Sequence, residues 1–91
     1  MPARITVGPN DHRRTYVVGE GQAQLPDVSQ VSEEFIVTIV MASSGPFTIS
    51  HTNRIIGHTG TTLEMNKLGQ WVRLQPNRES QSWVALRGGT A

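Results

Sequence analysis

Three histidines, His12, His51 and His58, are the residues of this chain that most readily suggest chemistry. A zinc site takes three or four ligands at short, ordered spacing, often His pairs separated by one or three residues. Here His51 and His58 stand seven apart across an expected turn, His12 is remote in sequence, and Cys is absent. Turn or contact positions fit these imidazoles better than a metal does. Asp11 and His12 are adjacent in a loop, and neighbouring side chains seldom point at each other, so the pair does not make a catalytic dyad. No serine lies in a G-x-S-x-G elbow. No phosphate-cradling glycine loop, dinucleotide fingerprint or EF-hand loop occurs. Glu33-Glu34 and Glu64 supply carboxylates of the kind used in acid–base catalysis, yet Glu64 alternates between Leu63 and Met65 and so faces solvent. The expectation is a non-enzymatic protein with no catalytic residues, no metal and no cofactor.

Binding chemistry has better candidates. Arg13-Arg14 at a strand start is the nearest thing to a basic cluster, and either a solvated strand end or a contact for an acidic partner surface fits it. Trp71-Val72-Arg73-Leu74 and Trp83-Val84-Ala85-Leu86 repeat one motif twelve residues apart in a chain with five aromatics. Indoles can stack on bases or sugars, but a base-stacking platform adds several exposed aromatics and a run of Lys or Arg. Lys67 is the only lysine, and Tyr16, Phe35 and Phe47 all sit in apolar strand contexts. The tryptophans therefore read as packing residues of a closing hairpin. Alternation places Trp71 and Arg73 on one face of the first strand. Val72 and Leu74 are expected in the core with Val84 and Leu86 or with Trp83, the other indole covering the outer face or a subunit boundary.

The elements that would carry these residues are strands. No window sustains a helical apolar stripe, and Gly or Pro interrupts most segments. Residues 3–7, 14–18 and 22–26 alternate and end at turn formers; 27–34 suits a helical turn or a loop. Residues 35–42, FIVTIVMA, are apolar on both faces: Phe35, Val37, Ile39 and Met41 on one, Ile36, Val40 and Ala42 on the other. Such a strand is central, or is covered on its second face by a partner chain. Ser43-Ser44-Gly45-Pro46 then predicts a hairpin into 47–50. Short strands at 54–57, 61–65, 70–74 and 82–86 follow, a spacing that points to an antiparallel sandwich or barrel.

Composition sets the outer bounds. Ninety-one residues make one domain. With 36% hydrophobic residues and no disulfide, a lone chain is expected to be marginal, and association is the remaining remedy. Eight basic against seven acidic residues, net +1, leave no overall footprint for nucleic acid or an anionic membrane. The N-terminus lacks a signal-peptide core and no apolar run reaches the length of a membrane span. A soluble protein made in a cytoplasm, with no small-molecule substrate, is expected.

The order of segments from Leu25-Pro26 through Val37–Val40, Gly45–Ile49, Arg54–Gly57 and Thr62–Met65 to Gly69–Leu86 resembles a module of tailed-bacteriophage virion proteins. In that module a strand closing on Leu-Pro precedes a V-x-I strand, a G-x-F/V-T-I strand, a T-L-x-L strand and a terminal G-x-W-V-x-L…W-x-x-L hairpin. The resemblance covers roughly residues 20–90. It implies an all-β fold, a small antiparallel β-sandwich that is jelly-roll-like and trimeric, with no catalytic residues to carry over. It also implies a capsid decoration (cement) protein whose partners are its own copies and the major capsid protein. On that reading residues 1–14 form an extended N-terminal arm with Arg4, His12, Arg13 and Arg14 as candidate capsid contacts, and 87–91 form a flexible tail. Phe35, Val37, Ile39, Met41, Trp71 and Trp83 are the candidate core or protomer contacts. The rivals are a tail fibre or tailspike component with host-receptor binding, a carbohydrate-binding module using an indole, and an oligonucleotide-binding barrel.

Overall fold

The computed structural model describes residues 3–8, 10–51, 53–56 and 62–89. Among the described residues nine strands form: β1 (Ala3–Thr6), β2 (Arg14–Val18), β3 (Gly21–Gln24), β4 (Val37–Met41), β5 (Phe47–Ser50), β6 (Arg54–Ile55), β7 (Thr62–Met65), β8 (Trp71–Asn77) and β9 (Ser82–Gly88). A single 3-10 turn, Val28–Gln30, is the helical element among the described residues, and Asp27 caps it by accepting from the Ser29 amide. The chain is all-β, as its alternation predicts.

The strands form two sheets, a four-stranded one ordered β1-β3-β5-β7 and a five-stranded one ordered β2-β4-β8-β9-β6. The expected antiparallel pairing is corrected here: β1/β3, β3/β5, β2/β4 and β6/β9 are parallel, while β4/β8, β5/β7 and β8/β9 are antiparallel. From β1 to β5 the chain changes sheet at every connection. Over this stretch each strand that returns to its sheet after one excursion lies parallel to the strand it left, whereas β7, returning after β6, runs antiparallel to β5. The crossover that a parallel pair requires is supplied by a strand of the other sheet.

The predicted hairpin over 35–50 is corrected on the same ground, since β4 and β5 belong to different sheets. The 42–46 connection is an arch. Gly45 permits it: its φ is +69°, and a Cβ there would lie 2.7 Å from the Phe47 amide nitrogen and 2.8 Å from Met41 Cε. By contrast, β8 and β9 do form the predicted hairpin, but it is longer than the sequence suggests. Pro76 and Asn77, beyond the strand expected over 70–74, lie inside β8 opposite Trp83 and Ser82. Pro76 is tolerated because β4 pairs only with Trp71–Leu74, so no ladder donor is needed further along that side.

One core cluster draws on both sheets and on the 3-10 segment. Val7, Leu25, Val28, Phe35, Val37, Ile39, Met41, Phe47, Ile49, Leu63, Met65, Val72, Leu74 and Trp83 are all buried. Phe35 meets Trp83 edge-on, with centroids 5.9 Å apart and planes at 66°. Trp83 Nε1–H has no hydrogen-bond partner among the described residues, a cost set against the large apolar area its ring buries.

Of the residues assigned in sequence to an extended N-terminal arm, Ala3–Thr6 pair with β3 as β1. Ile5 packs against the core, Val7 is buried in it, and the Val7 amide donates to Gln24 O at 2.9 Å. The alternation in 3–7 therefore carries β1 into a sheet. Arg87 and Gly88, expected in a flexible tail, pair instead with Val72 and Trp71; residues 90 and 91 lie outside the described residues. The β1–β2 loop is fastened by Asp11. Its Oδ2 accepts from the Gly8 amide and from the Tyr16 hydroxyl, both at 2.8 Å, and Arg14 stands 3.3 Å from Oδ1. These donors, the Gly8 amide foremost, hold the Asp11 carboxyl below its usual pKa, and burial raises that of Tyr16.

Two outcomes are expected. Asp11 stabilises the fold fully above the unfolded carboxylate pKa of about 4, and that contribution is lost as pH falls through its lower folded value. Asp11→Asn should therefore lower Tm at pH 7 but change it much less at pH 3, as thermal melts by circular dichroism would show; an equal loss at both pH values would refute the latch. Trp83→Ala should cost about 3–5 kcal/mol in denaturant titration. Trp83→Phe should cost much less, because the orphaned N–H leaves with the indole.

Candidate interaction surface

The outer face of the five-stranded sheet is built by the same alternation that builds the core. With Ile39, Val72, Leu74 and Trp83 turned inward, the register sends Val17, Val40 and Trp71 outward in one row across β2, β4 and β8, ending at Gly88 on β9. The next row reads Thr15, Thr38, Arg73 and Leu86, and Gln75 faces Val84 beyond it. Directly opposed side chains in such rows lie within contact range. Val17 is 70% exposed and Leu86 50%, while Val40, Trp71 and Val84 are half-buried. The result is an apolar band on a regular sheet, open to solvent.

Trp71 is fixed at its centre. The ring lies over Gly88, where a Cβ would come within 2.4 Å of Cζ2, so only glycine lets the indole lie this low. The Arg73 guanidinium carbon stands 5.8 Å from the ring centroid, a distance at which a cation is attracted to the π face. This is the shared indole–guanidinium face expected from alternation. Of the two packing arrangements left open by the sequence, the core takes Trp83 and leaves Trp71, Val84 and Leu86 outside it.

The residues singled out in sequence are distributed as follows. His12, Arg13 and Arg14 share the β1–β2 loop and the start of β2. There His12 Nδ1 accepts from the Ile36 amide at 3.3 Å, its ring lies 6.3 Å from that of Phe35, and the Arg13 amide donates to Ile36 O. Arg14 lies over the Tyr16 ring at 4.8 Å. Arg4 is not with them. It sits on β1 in the other sheet, in an outward row with Gln22, Thr48 and Glu64. A shallow recess of about 240 Å³ beside it is lined in part by Thr6, Gln22, Gln24 and Ser50. Phe35, Val37, Ile39, Met41 and Trp83 are wholly interior to one chain, which leaves Trp71 as the member of that set able to meet a partner. His51 is buried with Nδ1 against Asn53 O, and His58 lies outside the described residues. Among the described residues no group of three or more His, Asp or Glu side chains gathers in a way that could hold a metal ion.

Sequence reasoning missed Val17, Val40, Arg73 and Leu86 as one surface. The available signal was the second apolar face of 35–42, but the rows joining Val17 to Trp71 depend on a parallel β2/β4 pairing that local patterns do not announce. Gly88→Ala should lift the indole from the sheet. In a Trp83→Phe background, Trp71 emission is expected to shift to the red, with a stability loss of about 1–3 kcal/mol; unchanged emission would contradict the packing described. No protein-family model matches this chain, and neither the curated proteins nor the solved structures contain a match to it.

Proposed function

We propose that this chain is a non-enzymatic virion structural protein, a capsid decoration or cement protein that binds the assembled shell of major capsid protein and stabilises it. The observation that carries the reading is the open apolar band Val17–Val40–Trp71 with Leu86, laid on a regular sheet and braced by Gly88 and Arg73. A soluble chain that holds such a band in a defined geometry is built to be covered. The order of segments that resembles the phage module supports the same reading.

On this proposal the two sheets make a small β-sandwich, jelly-roll-like in passing its strands from sheet to sheet, though with parallel neighbours. Three copies associate as a homotrimer. Both sheets are open, leaving β1, β7, β2 and β6 as edges, and association is one way to shield such edges. A trimer that binds the closed shell and not its free subunits shifts the equilibrium toward the shell by mass action. The protein acts at the virion surface after synthesis in the host cytoplasm.

The second reading, a tail fibre or tailspike adaptor that binds a host carbohydrate, is favoured by the Trp71–Arg73 pair on an open face. Sedimentation velocity of the purified protein and density maps of intact particles separate the two. The first reading expects a trimer and density on the head surface. A stable folded monomer at micromolar concentration, or density confined to the tail, would overturn it.

A further inference from the structure

Charge is divided unequally between the two sheets. The five strands of the larger sheet contain Arg14, Arg54, Arg73 and Arg87 and no Asp or Glu. The chain as a whole carries only +1, so its carboxylates lie elsewhere. Glu64 is on β7 of the smaller sheet, and Asp11, Glu20, Asp27, Glu33, Glu34 and Glu79 are in connections. Asp11 is already engaged by Gly8, Tyr16 and Arg14, and Arg14–Asp11 is the only ion pair among the described residues.

Two of the four arginines belong to the outer face. Arg73 opposes Leu86 and Thr38, and Arg54 opposes Ser82 at the far edge. Arg73 is held against the Trp71 ring with no carboxylate partner among the described residues. The apolar band is therefore bordered by Arg73, held on the Trp71 ring, and by Arg54, neither with a carboxylate partner among the described residues. A neutral overall composition concealed it.

We infer that this face docks an acidic protein segment whose apolar side chains cover Val17, Trp71 and Leu86 while its carboxylates meet Arg73 and Arg54. This deepens the assembly reading above, on which it rests, by naming the chemistry of the partner. The same face of a second copy is a poor occupant, because isologous pairing would bring arginine toward arginine with no acid on the face to offset it. A single nucleic-acid strand fits less well, since one indole among Val17, Val40, Val84 and Leu86 gives little for successive bases to stack on. Charged residues at the border of an apolar patch set partner choice and association rate more than raw affinity.

The test uses the purified full chain, ¹⁵N-labelled, titrated with an alternating Glu-Leu peptide, the matching Lys-Leu peptide and an oligo-dT strand. Amide shifts are expected with the Glu-Leu peptide alone, centred on Thr38, Val40, Trp71, Arg73 and Leu86, and weakened by added salt. Arg73→Glu and Leu86→Ser should each reduce the affinity at least tenfold, whereas Gln22→Glu, on the outward row of the smaller sheet, should leave it unchanged. Circular dichroism melts of each variant verify that the fold is retained. Equal response to the Lys-Leu peptide, a response to oligo-dT in its place, or shifts of Val40, Trp71 and Leu86 that track protein concentration without any peptide would each overturn the inference. None of these readouts involves particles, so a failure here is distinct from the absence of density on a phage head.

Discussion

Each strand here is four to seven residues long, apart from the two-residue β6, and an element that short can bury only two or three side chains on one face. That constraint governs the rest of the structure. A four-stranded sheet alone would leave Ile5, Ala23, Ile49 and Leu63 in water, and its five-stranded partner would do the same with Ile39, Val72 and Leu74. Only when the two apolar faces contribute to one cluster, closed by Phe35 against Trp83, does the chain hold an interior. The changes of sheet from β1 to β5 distribute the buried residues almost evenly, so neither sheet has a complete core without the other.

The same constraint explains what local patterns reveal and what they hide. Alternation is a property of a few consecutive residues, and Ala23 with Leu25, Ile39 with Met41, and Leu63 with Met65 are buried as their spacing requires. Pairing partners are a property of the whole path. Nothing in Ser43-Ser44-Gly45-Pro46 distinguishes a hairpin turn from an arch, because both call for the same residue types. The difference lies in whether residue 47 continues beside β4 or crosses to lie beside β3, and Phe47 settles it by entering the core from the other sheet. Pro76 falls outside the strand expected over 70–74 for a related reason. Proline breaks a central strand, but β8 is central only as far as Leu74.

The candidate surface was partly legible. Trp71 and Arg73 share a face by simple period-two counting, and the two-sided apolar strand 35–42 signals that something lies over Val40. What could not be read is the joining of these residues into one band. Val17 sits beside Val40, and Leu86 beside Arg73, through register contacts between segments about 23 and 13 residues apart. Net charge was the least informative quantity of all. A total of +1 averages a sheet bearing four arginines with connections that hold most of the acids.

Charge segregation of this kind has a physical consequence for stability as well as for binding. Clustering Arg14, Arg54, Arg73 and Arg87 in one sheet creates mutual repulsion that interspersed carboxylates would relieve, and in exposed positions that repulsion is modest and screened by salt. A fold with a limited core has little reason to retain even a modest penalty unless the field it creates is used. The cation over Trp71 sharpens the point. Placed against the indole, the guanidinium is partly ordered before any partner arrives, so less side-chain entropy remains to be lost on docking. Gly88 acts in the same direction by letting the ring lie flat where any larger residue would tilt it. The outer face thus brings its apolar rows and the Arg73–Trp71 contact together on one sheet.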